Sequence, residues 1–253
     1  KLKEKKMKSI TKIISVLILG YSLTINAAPP FFPMEAYSCN YNEGKDLQDY
    51  LDVSEDWKDY ADDSGMAYNS WVLTPHYYSQ DWDADVYWIG FSPTWEQLAE
   101  AQQSMTVGKG IKLNERFLKV VSCDSHSGWA IDNIRSVADL GDGVLSLSDC
   151  NLTEEATFEK LLAADEKWNA MLDESGFEGG LARWWPGVGI TAEYTYDFLF
   201  ASVSDSLVAA GKNIDERVNG GGNARAREVY GDLVSCENER TYIATATRVI
   251  ASE

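Results

Sequence analysis

Shifted by 111 residues, the chain matches itself without a gap. Cys39–Pro75 falls on Cys150–Pro186 with ten of 37 positions identical, among them Cys39/Cys150, Trp57/Trp168, Asp62/Asp173 and Pro75/Pro186. Unrelated segments of this composition share roughly two. Further along the offset grows to 113, and Val121-Ser122-Cys123 falls on Val234-Ser235-Cys236 and Arg135 on Arg248. A chain that writes about 100 residues twice folds as two similar small domains, not as a solenoid of short repeats. The units are expected at 34–137 and 145–250, joined by a linker at 138–144 that carries Gly141 and Gly143.

Each copy has the same internal order. A short strand carries the first Cys ("EAYSCNY", "LSLSDCNL"), and a helix follows in which Leu47, Leu51, Trp57 and Phe158, Leu162, Trp168 recur at helical spacing. Ser-Gly ends that helix in both copies. Two aromatic, β-prone runs come next, then a second helical stretch ending at "VVSC" or "LVSC", then a last strand. The predicted order is β-α-β-β-α-β, twice.

Two such units in tandem resemble the dimeric α/β-barrel superfamily, which includes NIPSNAP-like, EthD-like and antibiotic-biosynthesis-monooxygenase-type modules. The resemblance covers residues 34–250 and lies in the element order; no catalytic motif of a member is matched. It implies an α+β fold, two ferredoxin-like sheets packed face to face as an intramolecular barrel with helices outside. A sheet covered by helices on one face must bury its other face, and runs such as "SWVL" and "ARWWP" are otherwise exposed apolar surface.

The four cysteines sit at duplicated places, 84 apart in the first unit and 86 in the second. Of three connectivities the duplication selects Cys39–Cys123 and Cys150–Cys236. A metal site is not expected, since there is no C-x₂-C pair and only two His. Disulfides suit an oxidising compartment, and the N-terminal segment agrees. Met7 reads as a start, followed by Lys8, Lys12, an apolar run from Ile13 to Ile25 and small residues at Ala27 and Ala28. That run is shorter than the roughly 20 residues of a membrane-spanning helix, so 1–27 reads as a cleaved signal peptide and the protein as periplasmic or extracellular. Without 1–27 the chain keeps 16 basic and 39 acidic residues, a net of −23. Such a surface repels nucleic acid and anionic membranes. A monomer is expected, because the two units supply both halves of the barrel.

Candidate site residues follow from strand alternation. Ser70, Val72, Thr74 and His76 share one face of the second strand, with Trp71, Leu73 and Tyr77 on the other. Placing the cysteine face of the first strand against the helices leaves Asn40, Asp149 and Asn151 on the barrel side, joined by Arg183 and Trp185. The expected pocket therefore lies between the sheets, with His76 as catalytic base and Asn40, Asn151, Arg183 and Trp185 as ligand contacts. Asn40 and Asn151 equally suit local turns beside the strand ends. His126 reads as an exposed residue of the loop after Cys123. Asp81, Asp83 and Asp85 read as an acidic hairpin turn, since Val86 and Ser92 stand where a calcium loop needs Gly and Glu.

The function expected from these residues is an exported protein that binds a small apolar or aromatic molecule between its sheets, without a cofactor. The alternatives are a cofactor-independent oxygenase or isomerase using His76, and a ligand-free scaffold. The fold itself does not choose among them.

Overall fold

The computed structural model describes residues 31–79, 84–137 and 141–250; the expected leader at 1–27, Asp81 and Asp83, and 138–140 of the linker lie outside them. The first half runs β1 (Phe32–Tyr41), α1 (Leu47–Asp63), β2 (Asn69–Tyr77), β3 (Val86–Phe91), α2 (Trp95–Ser104), α3 (Gly108–Val120) and β4 (Val121–Arg135). The second runs β5 (Gly143–Leu152), α4 (Phe158–Ser175), β6 (Gly180–Val188), β7 (Phe198–Ser204), α5 (Leu207–Val218), α6 (Gly222–Tyr230) and β8 (Val234–Arg248). Each second helical stretch is thus two helices where the sequence suggested one. The breaks fall just before Gly108 and at Gly221, which take positive φ of 54° and 87°, conformations that cost a side-chain-bearing residue about 1–2 kcal/mol.

Local chemistry sets the helix limits. Asp46 caps α1 by accepting the backbone N–H groups of Gln48 and Asp49, and the Asp49 carboxylate accepts the Asp46 N–H in return. Thr157 caps α4 through the Lys160 N–H, and Gly176 ends it in the left-handed conformation at φ 70°. Tyr50, Val53, Trp57 and Ala61 form the buried stripe of α1.

The eight strands are antiparallel and close into one barrel in the order β1-β3-β2-β8-β5-β7-β6-β4. The halves meet at two hydrogen-bonded seams, β2 with β8 and β4 with β6, so none of the eight described strands is left as an open edge. Both seams carry the same long-range bond in mirrored form. Arg135 at the end of β4 donates to Asp173 of α4 at 2.8 Å, and Arg248 at the end of β8 donates to Asp62 of α1 at 2.7 Å. Arg135/Arg248 and Asp62/Asp173 are pairs of the sequence repeat, so each half grips the first helix of the other with equivalent residues.

The two disulfides link Cys39 to Cys123 and Cys150 to Cys236, directly across the β1–β4 and β5–β8 ladders. All four cysteines are used, the chemistry of an oxidising location. Among the described residues no helix is long and apolar enough to cross a membrane.

Apolar side chains fall into two cores. One, made only of strand and loop residues from both halves, fills the barrel: Met34, Trp71, Leu73, Trp129, Trp184 and Leu199 are central to it. The other lies between the outer wall of the first half and its helices, around Tyr50, Trp57, Tyr68, Val72, Trp88 and Leu113. This corrects the expected orientation of β2 and β6. Trp71 and Leu73 point into the barrel and Val72 toward the helices; on β6, Trp184 points inward and Arg183 outward. Alternation sorts a strand into two faces, but both faces here are buried, and nothing in the alternation says which is inner.

Candidate active site

The residues expected to form one pocket are scattered. His76 is exposed at the end of β2, its ring 4.6 Å from that of Tyr77. Its distance from the barrel interior follows from β2 outrunning its β3 partner, whose ladder ends at Leu73. Asn40 has a local role, donating to Asp124 and accepting the Asp85 N–H, both at 3.1 Å. Asn151 is exposed near the end of β5. Trp185 is half-buried on the helix side against Phe198, with ring centroids 5.0 Å apart.

Arg183 is fully enclosed, but by carboxylates. It donates to Asp132 of β4 at 2.8 Å and to both oxygens of Asp165 of α4 at 2.9 and 2.5 Å. Tyr230 of α6 donates to the same Asp165 at 2.7 Å. Burial works against the guanidinium charge, yet Asp165 and Asp132 more than reverse this and raise its pKa. Every strong donor is spent, so this cluster fastens helices to the barrel wall and leaves no fork for a substrate.

A different constellation does open on a cavity. Between the outer wall of the first half and α1, α2 and α3 lies a space of about 390 Å³, within the range of small-molecule sites. Glu35 of β1, only 5 % exposed, sits at its wall. Three donors converge on this carboxylate: Tyr68 Oη at 2.6 Å, Gln102 Nε2 at 2.8 Å and His126 Nε2 at 2.7 Å. Trp88 Nε1 in turn donates to Tyr68 Oη at 2.8 Å. The His126 ring lies flat on that of Tyr37, 3.9 Å between centroids and 7° between planes.

The strand ladder explains how these groups meet. Odd-numbered residues of β1 face the helices, which puts Glu35 and Tyr37 on the same side as Cys39. Tyr37 lies opposite His126, and Glu35 lies opposite Gly128 on one side and Gly90 on the other. A Cβ at Gly90 would come within 1.6 Å of Tyr68 Oη. Glycine at 90 thus clears the lane through which Tyr68 reaches Glu35.

The electrostatics follow. Burial first, and the Glu35 charge second, push the hydroxyls of Tyr37 and Tyr68 well above the usual tyrosine range, so both remain protonated. With the carboxylate accepting, His126 Nε2 carries the proton it donates, and in the neutral ring Nδ1 is the acceptor. A carboxylate that orients an imidazole whose other nitrogen is unprotonated is an acid–base couple.

His126 is exposed, as the sequence suggested, but it lies on β4 and not in a loop, and it is tied to Glu35. The signal was within reach. Continuing an antiparallel ladder from Cys39–Cys123 brings Tyr37 opposite residue 125, and the irregularity between Ser38 and Cys39 moves the partner to His126.

Carrying the repeat's offsets across puts Ser146, Ser148, Trp168 and Glu239 in place of Glu35, Tyr37, Trp57 and His126. Those four line the corresponding space in the second half, of about 150 Å³. The acid–base couple is therefore confined to the first half.

The sequence matches no family model and no curated protein. The fold does have solved counterparts. A candidate monooxygenase from Lactobacillus acidophilus NCFM superposes with a TM-score of 0.55 at 11% identity, covering 89% of this chain and 100% of that one. A candidate chlorite dismutase gives 0.51 at 13% identity over 86% and 96%. A haem-binding protein from Thermus thermophilus gives 0.50 at 10% identity over 85% and 92%. The chain has the α+β barrel fold of these proteins.

The expected binder or scaffold is corrected on two counts. The neighbours are named for oxidative chemistry or haem binding, and the space between the sheets, where the ligand was to sit, is filled with side chains.

A haem does not fit either cavity. In the first, His126 is the one imidazole, and its Nε2 is engaged by Glu35 while its face is covered by Tyr37. Among the described residues no Lys or Arg lines that cavity to meet the propionates. The second has no His, Cys, Tyr or Lys in its lining among the described residues, and its volume is below that of drug-sized sites.

Proposed function

We propose that the chain is an oxidative enzyme whose site is the cavity beneath the helices of the first half, with His126 and Glu35 as its acid–base couple. The observation that carries this reading is the buried Glu35 holding His126 Nε2 at 2.7 Å on the wall of a 390 Å³ space. His126 Nδ1 takes an acidic proton from the substrate, and Glu35 stabilises the imidazolium that forms. For a quinol the second O–H proton and two electrons then leave to an external oxidant and His126 returns its own proton to it, so that the quinol becomes a quinone while dioxygen becomes hydrogen peroxide or peroxide becomes two waters. Tyr68, Gln102 and Trp88 hold Glu35 in register. The oxidative activities named among the fold's counterparts support the reaction class.

We also infer that the architecture is a tandem duplication of one ferredoxin-like unit, at 34–137 and 145–250, making the monomer a pseudo-dimer. The reciprocal Arg135–Asp173 and Arg248–Asp62 bonds support it, since a two-fold interface pairs residue i with j and j with i. A periplasmic or extracellular location is supported by the disulfides.

The test is dioxygen or peroxide consumption with a panel of phenols, quinols and aryl amines. At least one class should be turned over, and His126→Ala should lower its rate by a factor of roughly 10²–10⁴ with folding intact. Absence of turnover across the panel, or an unimpaired His126→Ala, defeats the proposal.

A further inference from the structure

The charge pattern of the cavity narrows what it accepts. Among the described residues its lining holds one carboxylate, Glu35, and one imidazole, His126, with no Lys or Arg. Six of the other fifteen lining residues are aromatic, including Tyr50, Trp57, Trp88 and Phe117. Trp57 and Trp88 meet edge to face at 5.0 Å, and Tyr50 stands edge-on to Trp88 at 6.4 Å. An aromatic face carries negative quadrupolar potential, so walls of this kind attract a cation and offer an anion nothing. When His126 is neutral, the Glu35 carboxylate adds a negative charge from within the wall, where screening by salt is weak. Outside, the chain's formal net charge of −18 favours approach of cations and repels anions.

The second half supplies an internal contrast. Its corresponding cavity has Ser146 and Ser148 where the first has Glu35 and Tyr37, and its charged lining is balanced, Arg217 paired with Glu239 and Arg225 with Glu216. Aromatic residues line both cavities, Trp168, Phe177 and Phe200 in the second, but among the described residues only the first holds a carboxylate with no Lys or Arg beside it in the lining.

We infer that the first cavity takes an organic cation, a protonated amine or quaternary ammonium group on an aromatic body. This rests on that cavity being the working site, and deepens the reading above by naming the substrate class.

Three probes of similar size test it at 0.15 M salt through the fluorescence of Trp57 and Trp88: phenyltrimethylammonium, its neutral isostere tert-butylbenzene, and benzenesulfonate. The cation should bind roughly tenfold tighter than the neutral probe, and the sulfonate should not compete. Glu35→Gln should bring cation and neutral probe within about threefold of each other while leaving the neutral one unchanged. Trp168→Phe, in the second half, should leave the binding signal as it is. Equal or tighter binding of the neutral or anionic probe, or no binding of the cation, overturns the inference. The two claims fail separately. Cation preference with turnover that survives His126→Ala would sink the enzyme mechanism alone. His126-dependent turnover of neutral or anionic substrates would sink the substrate class alone.

Discussion

Tyr68 reaches the Glu35 carboxylate at 2.6 Å across a strand position, Gly90, that has no side chain to block it. Gly90 is the ladder partner of Glu35 on β3, so the residue that permits the contact and the residue that receives it lie side by side. Gly90→Ala should push the hydroxyl off and leave Tyr68, Trp88 and Glu35 short of partners. The expected loss is about 2–4 kcal/mol of stability, read from the denaturant midpoint. Tyr68→Phe should cost less, about 1–3 kcal/mol, because the strand is left undisturbed. A Gly90→Ala variant as stable as the parent would show that Tyr68 has another route.

Arg183 is bound to structure and not to chemistry. Arg183→Ala leaves Asp132 and Asp165 buried without their cation, a change worth roughly 3–5 kcal/mol. Thermal unfolding should show it, with probe binding at the first cavity unchanged in whatever fraction stays folded. If instead stability holds and probe binding falls, the cluster belongs to the site.

The disulfides close segments of 84 and 86 residues. In the chain-entropy model each restricts the unfolded ensemble by up to about 4–5 kcal/mol. Melting with and without reductant should differ widely, and peptide maps should show Cys39 joined to Cys123 and Cys150 to Cys236. Cys123 also lines the first cavity, so reduction should weaken cation binding before it unfolds the barrel.

Alkali should unfold the protein in a defined window. Burial is the leading cause that raises Tyr37, Tyr50, Tyr68, Tyr194, Tyr230 and Tyr242, and together with Asp85 it brings Tyr41 to about 12. In the unfolded chain a tyrosine titrates at about 10. A folded-state value raised above the unfolded one gives stability that is whole below about pH 10 and is lost as pH climbs toward the folded values. Tyrosinate absorbance should therefore rise in two stages, exposed residues first, buried ones together with loss of circular dichroism. Smooth titration of all 13 tyrosines near pH 10 with the fold intact would contradict this.

The repeat made the alternation of strands and helices legible, because the doubled Cys and Trp frame let each element be read at two places in the chain. It made the disulfides legible too, since equivalent positions pair with equivalent positions. What it hid was the inner face of each strand: in β2, Trp71 and Val72 are both apolar and both buried, one in each core. That single ambiguity misplaced Arg183 and Trp185 and drew attention to His76. The true couple was masked by distance, as Glu35 and His126 are 91 residues apart. Neither has a counterpart of its own kind in the second copy, so a comparison built on likeness between copies passed over both.

The seams of the barrel also order its assembly in time. β8, the last described strand, is held between β2 and β5, and one of the two seams exists only when it is in place. While the chain is being made, β2 must wait as an open edge through the synthesis of more than a hundred further residues. A nascent chain with such an edge is prone to pairing with strangers. The barrel can close only once β8 has been made, so the β2 edge has to stay unfolded or shielded until β8 can pair with it.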